Sequence, residues 1–203
     1  LMIGLWTRLR EEKEIDIEKN LRNTLLPFES AYLSRSVSFM FDCVNAVFSD
    51  PKESVVNHNG SLVPTKEAID SIVKTISNQL VISSIDANLN QAVGKNVAKV
   101  VQLFLVKCEQ LVLVDGDATQ VIGPSTKSQA INSTIVHRLE SFRESMIQLL
   151  TSCDVDIEAN SLIDSSLSDV DGFIYSVIDP LMNSVQDSIE AIILTIHSED
   201  FSK

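Results

Sequence analysis

The sequence predicts an all-α protein, an antiparallel helical bundle or an elongated helical rod. Three observations carry this. Apolar residues return every three to four positions along several long stretches, no run alternates convincingly with the period of a strand, and Gly and Pro number only 6 and 5 in 203 residues. Short polar breaks between the stretches favour neighbouring helices packed antiparallel. No repeat of fixed period points to a solenoid.

The elements follow in order. Residues 1 to about 14 read as helix, and from Ile17 a longer pattern places Leu21, Leu25, Phe28, Tyr32, Phe39, Cys43 and Phe48 near the helical repeat. Proline lacks an N–H and clashes with the preceding turn, so a break or kink is expected at Pro27, with the helix restarting there and running to Phe48. Ser49-Asp50-Pro51 ends it, and Asn57-His58-Asn59-Gly60-Ser61 reads as a polar surface loop. Thr65 is placed to cap the next helix, whose face is Ile69, Ile72, Val73, Ile76 and Leu80.

A further helix is expected from Asn88 to about Val114, striped by Leu89, Val93, Val97, Val100, Val101, Phe104, Leu105, Cys108, Leu111 and Val112. Gly94 weakens it by about 1 kcal/mol relative to alanine, yet the period continues through it. After a loop bracketed by Asp115-Gly116-Asp117 and Gly123-Pro124, Ile131, Ile135, Leu139, Phe142, Met146 and Leu150 mark another helix. The acidic, serine-rich region from Cys153 to Gly172 still carries Ile157, Leu162, Ile163 and Leu167 at helical spacing. The last stripe is Ile174, Val177, Ile178, Leu181, Val185, Ile189, Ile192, Ile193 and Ile196, with a kink expected at Pro180. Read as core, it predicts that Asp in place of Ile192 or Ile193 unfolds the C-terminal packing. The chain reads as one helical segment over 1–203, any subdivision falling near the loop at 49–64 or the acidic stretch at 152–172.

Composition bounds the function. A hydrophobic share of 44% and a charged share of 22% describe a folding globular chain rather than a disordered one. The net charge of -12 repels phosphate backbones and anionic headgroups, so nucleic-acid binding is not expected and membrane association should be indirect. Cys43, Cys108 and Cys153 are odd in number and far apart, which suits a reducing compartment better than a disulfide framework. No signal peptide is read at the start, and no apolar run approaches the ~20 residues needed to span a bilayer.

Motifs for chemistry are missing. Gly94-Lys95 has no glycine upstream where a phosphate-binding loop needs one, and neither G-x-S-x-G nor H-E-x-x-H occurs. His58, His137 and His197 stand far from one another and from plausible co-ligands, so no metal site is expected. Calcium loops begun at Asp154 or Asp115 fail, because Ala159 or Gln120 stands where glycine belongs and Ser165 or Thr126 where glutamate belongs. Asn59-Gly60-Ser61 and Asn132-Ser133-Thr134 match the glycosylation pattern but read as ordinary loop and helix-start residues. No cofactor or catalytic residue is assigned. The one feature needing explanation is the apolar pair inside the loop Asp117, Ala118, Thr119, Gln120, Val121, Ile122, Gly123 and Pro124. Val121 and Ile122 are read first as a plug for the bundle end. The second reading makes Asp117, Gln120, Val121, Ile122, Gly123 and Pro124 a partner contact.

Several segments carry a resemblance. Residues 26–36 (LPFESAYLSRS), Ser77-Asn78-Gln79-Leu80, Asp86-Ala87-Asn88-Leu89, Lys95-Asn96-Val97-Ala98-Lys99, residues 106–111 and 116–124, and the stretch from Asp187 to His197 with Glu199-Asp200-Phe201-Ser202 stand in an order that resembles the fifth subunit of the conserved oligomeric Golgi complex. The likeness runs from about Leu5 to Ser202, more loosely over 130–181. It implies a segment of a longer subunit, built as the rod of helical bundles found in multisubunit tethers, without catalytic residues. It also implies a place on the cytosolic face of the Golgi membrane and in the cytosol, and a role in capturing vesicles for retrograde intra-Golgi transport. The partners it implies are the other subunits of the complex, chiefly the seventh, and the membrane-fusion machinery. A helical enzyme or ligand-binding domain is the alternative, and it requires charged or His clusters facing the bundle core.

Overall fold

The computed structural model describes the backbone of residues 2–49, 54–56, 62–153 and 155–198, and the side chains of 20–21, 23–49, 63–153 and 155–197. The order is α1 (Met2–Ser49), β1 (Ser54–Val56), β2 (Leu62–Pro64), α2 (Lys66–Ser83), α3 (Ala87–Glu109), a 3-10 turn (Gly116–Thr119), α4 (Lys127–Ser152) and α5 (Ile157–Ser198). The fold is all-α, as the periodicity predicts, apart from one short hairpin.

Hydrogen bonds between the helices fix their directions. Tyr32 and Ser36 of α1 both donate to Gln79 Oε1, at 3.2 and 2.7 Å, while Cys43 lies 3.7 Å from Thr75, so α1 and α2 run oppositely. Asn90 at the start of α3 accepts from Asp156 N just before α5, and Glu109 at the end of α3 shares a groove with Phe173 and Val177, so α3 and α5 run together. Arg143 meets Asp171 at 2.6 Å, while Ile147 lies beside Asp164 and Leu167, which sets α4 against α5. Successive helices therefore alternate, as expected. They also sort into layers the sequence does not predict: α1, α3 and α5 side by side with α3 central, covered by α2 and α4.

The layers meet on aliphatic residues. Ile69, Ile72, Ile76 and Leu80 of α2 face Val93, Val97, Val100 and Phe104 of α3 and Ile135, Leu139, Phe142 and Met146 of α4, all buried. Phe104 stands between Phe48 of α1 (ring centroids 5.7 Å apart) and Phe142 of α4 (4.3 Å), joining three helices at one point. Burial pushes the Cys108 thiol far above its ordinary value, which leaves it protonated and unreactive. Among the described residues the buried polar side chains are Ser36, Ser83, Asn90, Ser128, Asn132 and Ser166, and each finds a partner, as in Ser83 Oγ donating to Leu80 O at 2.9 Å and Ser166 Oγ to Leu162 O at 3.1 Å.

Four expectations are corrected. Of the break or kink expected at Pro27, the break is absent, since α1 is continuous over 48 residues, about 72 Å at the helical rise. A proline removes a single N–H, and the run on either side of it is rich enough in helix formers to continue. The apolar face of α1 is borne out only in part: of the expected residues, Tyr32, Cys43 and Phe48 pack against the core. Phe28 is 71% exposed, and Leu21, Leu25 and Phe39 are exposed too, whereas Met40, Val44 and Val47 are buried. Strands are present: Val55 pairs with Val63 in an antiparallel hairpin whose Val63 packs into the core. The α3 helix stops at Glu109 rather than Val114, with Gln110 as its cap.

The readings of Asn57-His58-Asn59-Gly60-Ser61 as a loop, of Asp154 as a calcium ligand, and of the side chains at the N-terminal start fall outside the described residues. Residues 157–172 are helical, with Ala159, Ile163, Leu167 and Val170 buried, and α5 passes through Pro180.

Candidate partner-binding face

The α3–α4 loop, which carries the candidate contact residues, is built by side chains capping backbone. Asp115 Oδ1 accepts from Ala118 N at 3.0 Å and its Oδ2 from Ser128 Oγ at 2.9 Å. Thr126 opens α4 with a reciprocal box: Gln129 N donates to Thr126 Oγ1 (3.1 Å) and Thr126 N to Gln129 Oε1 (3.0 Å). The same two residues pin the loop, Thr126 Oγ1 donating to Asp117 O (2.7 Å) and Gln129 Nε2 to Gln120 O (2.6 Å). Gln120 Nε2 donates to Ile122 O (2.7 Å), and Gly123 then turns the chain at φ 109°, where a side chain is strained. Asn132, matched by the glycosylation pattern, is buried and holds both Leu113 N and Leu113 O, at 2.9 and 2.8 Å, so its amide is committed to the fold. Thr126→Ala should cost about 1 kcal/mol in urea unfolding, since it removes the cap.

This frame does not turn the apolar pair inward. Ala118 is the buried member, whereas Ile122 is 85% exposed, and Val121, Gly123 and Pro124 are exposed beside Asp117 and Gln120. The plug reading of Val121 and Ile122 is therefore corrected: the 3-10 turn fills the bundle end with Ala118 and lifts the two larger residues out.

Next to the loop lies a groove of about 470 Å3, lined by Val112, Leu113, Val114, Ala118, Phe173, Val177, Pro180 and Leu181, with Glu109, Thr119, Asn132 and Ser176 as its polar members. It leads onto the last part of α5, where Ile178, Met182, Ile189, Leu194 and Ile196 are exposed. Ile192 and Ile193, read from the sequence as core, are 59% and 51% exposed. The period of the stripe is helical, but the described structure supplies no helix to cover it beyond the groove. Along its 42 residues α5 carries Asp and Glu seven times and Lys or Arg not at all. The sequence reading missed the groove because its walls come from α3, the loop and α5, three segments far apart in the chain.

No protein-family description matches the chain, and no solved structure matches it. Curated relatives do. A mouse protein named conserved oligomeric Golgi complex subunit 5 is 42% identical over 190 residues, 93% of this chain and 22% of its own length. The resemblance is to one segment of that subunit. Proteins of the same name from Arabidopsis thaliana and Drosophila melanogaster are each 24% identical, over 174 and 201 residues. These cover 86% and 97% of this chain but 20% and 24% of their own lengths. The chain thus spans about a fifth to a quarter of the length of these relatives of Golgi-complex subunit 5.

Among the described residues no group of His, Cys, Asp and Glu is arranged to hold a metal, and no helix is long and apolar enough to cross a membrane. Asp115, where one calcium loop was tried above, caps the 3-10 turn, and Asp156 caps the start of α5, its Oδ1 accepting from Glu158 N at 3.0 Å.

Proposed function

We propose that the chain is a non-catalytic structural part of a Golgi vesicle-tethering complex that joins other subunits by helix-to-helix contacts. The observation that carries the reading is the uncovered apolar face of α5, from Ile178 to Ile196, continuing from a groove at the bundle end. Contiguous exposed apolar surface on a well-packed helical body is what subunit contacts use. The likeness to subunit 5 supports a place in that complex; in this reading the partners are its other subunits, chiefly the seventh, with the membrane-fusion machinery as a further partner. The work is intra-Golgi retrograde transport on the cytosolic face of the Golgi membrane, where the complex is held peripherally, as well as in the cytosol. The loop residues Asp117, Gln120, Val121, Ile122, Gly123 and Pro124 form the rim of the contact. The rival reading is a ligand or catalytic site in the bundle core; among the described residues the fully buried polar side chains are Ser and Asn in structural bonds.

The test is a pull-down of the chain from cytosol, with and without co-expressed seventh subunit. Recovery of tether subunits supports the reading; a folded chain that captures none of them contradicts it. A double variant, Ile189→Asp with Ile193→Asp, should melt within about 0.5 kcal/mol of the parent because both positions are solvent-facing. The same variant should lose most of the captured partner. A large drop in melting temperature would show the stripe to be core after all.

A further inference from the structure

Residues 31–49 of α1 carry only two charges, Arg35 and Asp42, in a chain of net charge -12. The helix lies at the edge of the layer it forms with α3 and α5, and with Met40, Val44 and Val47 turned into the core its outer face is left to solvent. On that face Ala31, Arg35, Ser38, Asp42 and Ala46 are exposed, beside Phe39, which is 56% exposed. Arg35 and Asp42 line one groove of about 570 Å3 together with Phe39, Tyr32 and Gln79, and among the described residues neither enters an ion pair. Seven residues apart, they stand on one side of the helix, two turns or roughly 10.5 Å along its axis.

This arrangement is complementary to itself. A two-fold axis passing between Ser38 and Phe39 sets a second α1 antiparallel to the first and places Asp42 of each copy against Arg35 of the other. The same operation brings Ala31 level with Ala46, so small residues beyond both ion pairs let the helices approach. It also sets the two Phe39 rings side by side at the axis, where the two grooves open into each other. A parallel pairing would put Arg35 against Arg35. We propose that this face of α1 binds a second copy of the chain in an antiparallel, two-fold contact. A centre poor in charge and holding an aromatic residue is what protein contacts use. The acidic excess of the chain lies elsewhere, so a second copy meets a neutral surface here.

The contact goes beyond the tether-subunit reading and uses a different face from the exposed part of α5, so each stands or fails alone. Sedimentation velocity over a concentration series reads it. The parent chain should pass from monomer to dimer as its concentration rises. Arg35→Asp and Asp42→Arg should each weaken the dimer roughly tenfold, since each turns two attractions into two repulsions. Both should leave the melting curve in place, because the two residues are exposed on a formed helix. The decisive sample is an equimolar mixture of the two variants. In a mixed dimer both contacts regain opposite charges, so the mixture should recover the dimerisation of the parent. A parent that stays monomeric at every concentration would overturn the proposal and leave this face to a helix of another protein. Self-association that neither reversal weakens, that Ile189→Asp with Ile193→Asp abolishes, or that the mixture fails to recover would overturn it as well.

Discussion

Phe104→Ala is expected to destabilise the chain by about 3–5 kcal/mol, the range for removing a buried aromatic ring. The ring has no solvent exposure and sits between Phe48 and Phe142, so its loss leaves a void shared by α1, α3 and α4. Neighbouring side chains cannot close that void easily, because the three helices are held apart by their other buried residues. A domain of ordinary stability has about 5–15 kcal/mol in all, so the variant should be marginal. Urea unfolding followed by circular dichroism reads the effect. A loss below about 1 kcal/mol would mean that the three helices do not converge on this ring.

Gly94→Ala should also destabilise, against the rule for helix interiors. Alanine is favoured over glycine in a helix by about 1 kcal/mol, and on the sequence alone Gly94 is a weak point in α3. The structure reverses the sign. A Cβ at this position would collide with the Cβ of Ala159 and come within 3.6 Å of its Cα, because α3 and α5 cross there in direct backbone contact. Forcing a methyl into packed surroundings costs about 1–3 kcal/mol, which offsets the propensity gain of about 1 kcal/mol and leaves a net loss of up to about 2 kcal/mol. Moving the methyl back out of the crossing, with Gly94→Ala and Ala159→Gly together, should recover most of the loss. A stabilised Gly94→Ala would contradict the close approach of the two helices.

The same position shows how far the sequence could be read. The stripes of α2, α3 and α4 were legible because each has one apolar face against a charged remainder: Ile69, Ile72, Ile76 and Leu80 are all buried, as are Ile131, Ile135, Leu139, Phe142 and Met146. On α4 the last member is Leu149 rather than Leu150, a difference of one position at a helix end. The long helices misled for a physical reason. Helical period reports that one face is apolar, not what covers it, so the exposed Ile189 to Ile196 of α5 and the exposed Leu21, Leu25 and Phe28 of α1 looked like core.

Which residue of α3 needed to be small was hidden as well, because Gly94 is explained by Ala159, 65 positions on in the chain. The hairpin did leave a trace. Val55-Val56 and Leu62-Val63 are apolar pairs on either side of a polar run, but strands of three residues are too short to show alternation. At the loop, the caps Asp115 and Thr126 could be read from their residue types, whereas the outward placement of Val121 and Ile122 depends on Gln129 and Thr126 holding the backbone.

Hydrogen exchange of the chain, alone and with the seventh subunit of the complex, tests the central claim most directly. Alone, the buried spans of α2, α3 and α4 and residues 159–170 of α5 should exchange slowly, and residues 178–197 fast, since few contacts hold that end of the helix. With the partner present, residues 178–197 and the loop at 117–124 should slow. Slow exchange of 178–197 in the isolated chain, or a bound partner that leaves both segments unchanged, would contradict the account.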